Sequence, residues 1–135
     1  MAKMKFIDAN IFLELMLDDE KAIDCKMFFD KLKNGEVEAS TSDFIIYTCL
    51  LQIQYKFKSL KYLKNFILFI NEMKGLRIFR PSLNDIYKSI NISEKYKLDF
   101  DDSLVVSLMI NNNIKELISF DKHFDKVNLI KRETP

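Results

Sequence analysis

Short apolar runs that stop on polar residues alternate along the chain with longer segments whose apolar positions recur every three or four residues. The first run, Lys3 to Ile7, ends at Asp8 and reads as a buried strand. Asp8-Ala9-Asn10 is a polar break, and Ile11 to Leu17 follows as a short helix. Asp18 and Asp19 suit the start of a second helix, in which Ala22, Cys25, Phe29 and Leu32 share one face and Asn34-Gly35 is the stop. Val37 to Ser40 reads as a second strand, after which Thr41 and Ser42 are placed to cap a helix over Asp43 to Phe57. That helix is apolar on almost every side, through Phe44, Ile45, Ile46, Leu50, Leu51, Ile53 and Tyr55, so it is expected either at the centre or at a subunit interface.

A fourth helix, Lys61 to Lys74, carries Leu63, Phe66, Ile67, Ile70 and Met73 on one face and stops at Gly75. Leu76 to Phe79 is a third strand. Pro81 and Ser82 open a fifth helix; Ser82 and Asp85 have capping-box spacing, and Leu83, Ile86, Tyr87 and Ile90 form its expected inner face. An apolar helix from Ser103 to about Ile110 follows, with Asn111 to Asn113 as its end. Glu116 to Phe120 is a fourth strand, stopping at Asp121, and a last strand is expected over Val127 to Ile130. Strands alternating with helices in this way imply an α/β fold with a mostly parallel central sheet covered on both sides.

At 135 residues the chain has room for one domain, spanning residues 1–135. Hydrophobic residues make up 48%, enough for a buried core, and two Gly and two Pro leave little room for disordered linkers. A net charge of +1 gives no global pull toward nucleic acid, so any such binding must come from a local patch. Cys25 and Cys49 sit inside apolar helical patterns and read as buried free thiols. No apolar run reaches membrane-spanning length and no secretory leader is apparent, so a cytoplasmic protein is expected.

The chemistry concentrates on aspartates. Asp8 ends the first strand, Asp121 ends the fourth, and Asp102 begins the helix that leads into the fourth. In a parallel sheet these positions share one edge, where ligands sit outside the carboxyl ends of the strands. Three carboxylates in one crevice raise one another's pKa unless a cation compensates. Mg²⁺ or Mn²⁺ is the natural compensator, because both prefer oxygen ligands. A cation so held suits phosphodiester hydrolysis, with Lys or Arg side chains gripping phosphate. Each aspartate taken alone has a plainer reading: Asp8 and Asp121 as turn formers, and Asp99, Asp101 and Asp102 as helix-start residues. His123, the single histidine, reads as a solvated loop residue. Lys56, Lys58, Lys61 and Lys64, with Tyr55, Phe57 and Tyr62 among them, read as a solvated helix face rather than an RNA grip. No Gly-rich phosphate loop is present.

Phe6-Ile7-Asp8-Ala9-Asn10-Ile11-Phe12-Leu13 resembles the opening motif of the PIN-domain nucleases. Leu98-Asp99-Phe100-Asp101-Asp102-Ser103-Leu104 resembles their third motif, and Leu117 to Asp125 their fourth. The resemblance spans the chain and implies a three-layer α/β/α sandwich, often dimeric. It implies a Mg²⁺- or Mn²⁺-dependent endoribonuclease of the VapC toxin type, acting on RNA and paired with a VapB-type antitoxin. By the same resemblance Asp8, Asp102 and Asp121 are the catalytic metal ligands, Asn10 and Ser119 orient their carboxylates, and Asp101 is a further acid at the rim.

The chain departs from the family at the second motif, where a Glu is expected near Tyr47 or Thr48. Asp43, one turn earlier, is a possible substitute acid, and Glu14 is a more remote one. The alternative function is therefore a degenerate PIN module that binds RNA or protein with weak or no catalysis. A receiver-like domain would need an acidic pair after strand one, and a haloacid-dehalogenase-like phosphatase an Asp-x-Asp there; Asp8-Ala9-Asn10 supplies neither. A homodimer is the simplest cover for the all-apolar helix.

Overall fold

The computed structural model describes residues 4–135, so the expected strand start at Lys3 lies outside the described residues. In chain order the elements are β1 (Lys5–Ile7), α1 (Ala9–Met16), α2 (Ala22–Lys33), β2 (Ala39–Ser42), α3 (Asp43–Phe57), α4 (Leu60–Asn71), β3 (Leu76–Phe79), α5 (Leu83–Tyr96), α6 (Phe100–Asn111), β4 (Glu116–Ile118), a 3₁₀ helix (Lys122–Lys126) and β5 (Lys131–Glu133). The five strands form one sheet in the order β3-β2-β1-β4-β5, and every pairing is parallel. The chain runs outward from β1 to β3, then returns across the sheet to β4 and β5. The strand order therefore reverses between β1 and β4, the position at which open α/β sheets form a ligand crevice.

The apolar pattern accounts for most of the packing. Phe6 and Ile7 of β1 and Leu117 and Ile118 of β4 are buried at the centre of the sheet. Phe12 stacks on Phe29 with centroids 5.1 Å apart and meets Phe66 edge-on at 6.0 Å, tying α1, α2 and α4 into one layer. Cys25 and Cys49 are free and buried, and burial pushes the Cys49 thiol up to about 12, so neither is a ready nucleophile.

β2 lies two residues later than the apolar pattern suggested, and its sequence is Ala-Ser-Thr-Ser. Polar residues are tolerated in this buried strand because each hydroxyl has a partner. Ser40 donates to the Lys5 carbonyl (3.2 Å), Thr41 to the Ile7 carbonyl (3.0 Å) and Ser42 to the Phe79 carbonyl (3.1 Å). The last strand also moves, from the expected 127–130 to Lys131–Glu133, where it pairs with β4. Lys5 of β1 explains part of this: its ammonium lies 2.8 Å from Glu133 and 3.4 Å from Glu116, linking three adjacent strands. The second helix starts at Ala22 rather than at Asp18 or Asp19, because Asp18 takes a left-handed φ of 52° that breaks the helical path.

The expected inner face of α5 is overturned at three of its four positions, Ile86 alone being half-buried. Leu83, Tyr87 and Ile90 are exposed, and the buried face runs through Ser89. Small side chains let α5 lie close against α6: Ser107 of α6 donates to the Asp85 carbonyl (3.2 Å), and Asn111 donates to the Asp85 carboxylate (2.6 Å). The capping box at Ser82 and Asp85 is present with both reciprocal hydrogen bonds.

Two glycines end α2 and begin β3 for different reasons. Gly35, at φ 78°, closes α2 in a Schellman arrangement, its N–H bonding the Leu32 carbonyl while Glu36 bonds that of Lys31. Gly75 is a close approach: a Cβ there would overlap the Val37 carbonyl and press on Leu32. Gly75→Ala should therefore cost about 1–3 kcal/mol and Gly35→Ala about 1 kcal/mol in urea denaturation. A negligible loss at Gly75 would contradict the close approach.

Candidate metal centre

β1 and β4 end side by side, with Ile7 paired to Ile118 and the Asp8 N–H bonding the Ile118 carbonyl at 3.0 Å. Asp8 then caps α1, accepting from the Ala9 N–H at 2.8 Å. Its other oxygen accepts from the Ser119 hydroxyl at 2.7 Å and from the Asn10 amide at 3.4 Å. Asn10 in turn donates to Ser119 (3.2 Å) and accepts from the Phe120 N–H (3.2 Å). Ser119 also accepts from the Asp121 N–H at 3.0 Å. The two residues thus bind the loop after β1 to the loop after β4 and hold Asp8 and Asp121 at one edge.

Asp121 caps the 3₁₀ helix through the His123 N–H (2.9 Å). Asp102 arrives from the opposite layer, in the first turn of α6, with its N–H donating to Asp101 at 3.0 Å. Asp8, Asp101 and Asp102 line a small pocket with Ala9, Phe44, Ile45, Thr48 and Val105. Asp102 also faces a second group: one ligand atom each from Asp102, Asp121 and His123 lie within 4.8 Å of one another. Asp102 therefore stands between the two halves of the site.

The electrostatics follow from this crowding. Burial pushes the Asp8 carboxyl above its ordinary value; the bonds from Ser119 and Ala9 oppose the shift, and the charges of Asp121 and Asp101 add to it. Asp102 is pushed up to about 7, first by burial and then by the charges of Asp101, Asp121 and Asp8, with His123 acting in the other direction. A divalent cation beside Asp102 and Asp121 would offset the like charges that crowd Asp102. With octahedral bonds of about 2.1 Å, donors stand about 3.0 Å apart when adjacent and about 4.2 Å when opposite. Donors already within 4.8 Å need only small shifts to reach that spacing, so Asp102, Asp121 and their neighbours fit a Mg²⁺- or Mn²⁺-sized ion in both geometry and donor chemistry.

The possible substitute acid at Asp43 is placed elsewhere. One of its oxygens accepts from the Phe44 N–H (2.7 Å) and the Ser42 hydroxyl (3.1 Å), and the other lies 3.5 Å from Arg80. Its carboxylate is folded onto the start of its own helix, and it is Thr48, one turn on, that lines the acidic pocket. Glu14 is also engaged elsewhere, accepting from the Lys21 N–H at 3.2 Å. His123, read from the sequence as a solvated loop residue, is exposed, but it lies in the 3₁₀ helix with Nδ1 3.0 Å from Asp121. Its offset of two residues from Asp121 was the available signal. Arg132 was not foreseen either. It donates to the Ser119 carbonyl (3.2 Å) and pairs with both oxygens of Asp125 (2.8 and 3.2 Å), bracing the 119–125 segment from β5.

Several solved structures share this fold. VapC20 of Mycobacterium tuberculosis, a sarcin-ricin loop cleaving toxin, superposes with a TM-score of 0.80 at 12% identity, covering 97% of this chain and 99% of that one. A chain of a toxin-antitoxin complex from Klebsiella pneumoniae gives 0.71 at 13% identity, covering 94% and 95%. A chain of VapBC2 from Rickettsia felis, bound to a promoter DNA fragment, gives 0.67 at 14% identity, covering 97% and 98%. No curated protein sequence matches the chain. Among protein families, the PIN domain matches residues 5–129. With that match running through every acidic position of the crevice, the chain belongs to the PIN domain family.

Proposed function

We propose that this protein is a metal-dependent endoribonuclease of the VapC toxin type that hydrolyses RNA phosphodiesters. The observation that carries the reading is the position of Asp102, which lines one pocket with Asp8 and Asp101 and groups with Asp121 on its other side. Asp8, Asp102 and Asp121 are assigned as metal ligands. Asn10 and Ser119 fix the orientation of Asp8, and Asp101 adds negative charge at the rim. A bound Mg²⁺ or Mn²⁺ supplies a water activated for attack and a counter-charge for the phosphate. A cleft of about 230 Å³ beside the acids, lined by Lys97, Asp99, Asp102, His123 and Lys126, gives the scissile phosphate cationic neighbours.

A VapB-type antitoxin is the proposed partner. An open apolar groove of about 500 Å³ between α3 and α4, lined by Leu50, Leu63, Ile67 and Leu68, suits an amphipathic segment of such a chain. The exposed Tyr47, Leu51 and Tyr55 of α3, and the outward stripe of Leu83, Tyr87 and Ile90 on α5, support a homodimer. Among the described residues no helix is long and apolar enough to cross a membrane, and action in the cytoplasm, where RNA is found, goes with the toxin reading.

Thr48 favours a second reading, an RNA-binding PIN module that cuts slowly or not at all, because a neutral residue, its hydroxyl bonded to the Phe44 carbonyl, lines the acidic pocket near the register of the family's second-motif acid. Cleavage of RNA by the tag-free protein with Mn²⁺, lost in Asp8→Asn and Asp102→Asn, is the expected result. Retained RNA affinity with intact RNA at high Mn²⁺ would favour the second reading instead. Thr48→Glu should tighten Mg²⁺ binding by about tenfold and speed cleavage, since it returns a carboxylate to the pocket.

The elevated Asp102 carboxyl sets a pH dependence with two signs. In the metal-free protein the protonated form is favoured in the fold. Stability from this group is therefore fully present below about 3.8 and lost as pH rises through about 7. Metal binding needs the ionised form, so affinity should fall as pH drops below about 7. Melting curves should show a Mn²⁺-induced rise in Tm at pH 8 that shrinks toward pH 6. Asp102→Asn should melt higher than the wild type at pH 8 without metal and lose most of the response to Mn²⁺. A metal response independent of pH would argue against Asp102 as a ligand.

A further inference from the structure

Resting on that metal-centre reading, we infer that His123 is a nitrogen ligand of the ion, and that it biases the centre toward Mn²⁺ and Co²⁺ over Mg²⁺. Three observations converge on it. His123 contributes the third donor of the group with Asp102 and Asp121, all within 4.8 Å. Its Nδ1 lies 3.0 Å from the nearer Asp121 oxygen, the spacing of adjacent donors on an octahedral ion with bonds of about 2.1 Å. And the acidic pocket on the far side of Asp102 has Thr48 where a carboxylate would add an oxygen ligand, which leaves the donor set short of one strong group.

The backbone makes this placement possible. The 3₁₀ helix begins directly at Asp121, and the His123 N–H bonds the same carboxylate at 2.9 Å. Asp121, as the cap, turns its carboxylate back over this first turn, where it meets the His123 ring. Arg132, through Asp125 and the Ser119 carbonyl, braces the segment from below. Ligation through Nδ1 requires the neutral ring with its proton on Nε2, which the exposure of His123 leaves free to bond water.

The plainer role for the same contact is an N–H···O bond that orients Asp121. Removing the ring separates the two roles. Loss of an orienting bond weakens every ion by a similar factor, because the ligands stay oxygen. Loss of an imidazole ligand falls mainly on Co²⁺ and Mn²⁺, which accept nitrogen more readily than Mg²⁺ does even where oxygen is preferred.

Because His123 is the only histidine, its signature can be read directly. Pulsed electron paramagnetic resonance of Mn²⁺ bound to the tag-free full chain should show strong coupling to a directly bonded ¹⁴N, and His123→Ala should abolish it. Calorimetric titration of the same proteins at pH 8 should show His123→Ala losing about tenfold or more in Mn²⁺ and Co²⁺ affinity but under about threefold for Mg²⁺. His123→Asp, supplying an oxygen ligand, should bind Mg²⁺ at least as well as the wild type, without the nitrogen signal. Absence of ¹⁴N coupling in the wild type, or equal losses for all three ions, overturns the assignment while leaving the metal centre intact. A wild-type protein that binds none of the three ions overturns both.

Discussion

Asp8 is taken almost wholly out of water at the point where the parallel sheet reverses its strand order, and the rest of the site is arranged around that cost. A desolvated carboxylate is tolerable only with hydrogen-bond partners and, when ionised among other acids, a compensating cation. The partners come from both loops at the switch point: Ser119 at 2.7 Å, the Ala9 N–H at 2.8 Å and Asn10 at 3.4 Å. The same bonds that satisfy Asp8 join the end of β1 to the end of β4. Burying one acid and aligning a second are therefore one structural act.

The two helical layers contribute unequally to this edge. The layer of α1 to α4 supplies Asp8, as the cap of α1, and Thr48, from the face of α3. The opposite layer supplies Asp101 and Asp102 from the first turn of α6, where the helix macrodipole favours negative charge. That alignment offsets only part of the cost of burial and of the neighbouring charges, since the Asp102 carboxyl still rises to about 7. The small-residue seam between α5 and α6 matters here, because it sets how α6 lies against the sheet and so where Asp102 emerges. The outward turn of Leu83, Tyr87 and Ile90 is the other consequence of that seam: apolar area on α5 stays exposed instead of joining the core.

Two acids in this chain cap helices and also face the crevice, so the plain and the chemical readings of an aspartate are not exclusive. Asp8 uses one oxygen as a cap and offers the other to its neighbours across the loops. Asp121 caps the 3₁₀ helix and stands beside Asp102. Asp43 shows the opposite outcome: with both oxygens engaged at the start of α3, it acts locally and stays out of the pocket.

What the amino-acid sequence determined by itself is the alternation of strands and helices, the parallel sheet, and the arrival of Asp8, Asp102 and Asp121 at one edge. Those features come from period and order, since a strand's end and the start of the helix feeding its neighbour share an edge whatever the packing. The bounds of α3 and β3 were legible for the same reason, their apolar runs being long or sharply flanked. Only the tertiary structure decided the rest. Periodicity shows which residues of α5 share a face but not which face is buried, and here serines won over Leu83, Tyr87 and Ile90 because close approach to α6 needed small side chains. Strands as short as β2 and β5 are located by pairing and hydroxyl partners rather than by their own apolarity. And the approach of His123 to Asp102, residues far apart in sequence, depends on how a 3₁₀ turn, a helix and an arginine brace meet in space, which no local pattern encodes.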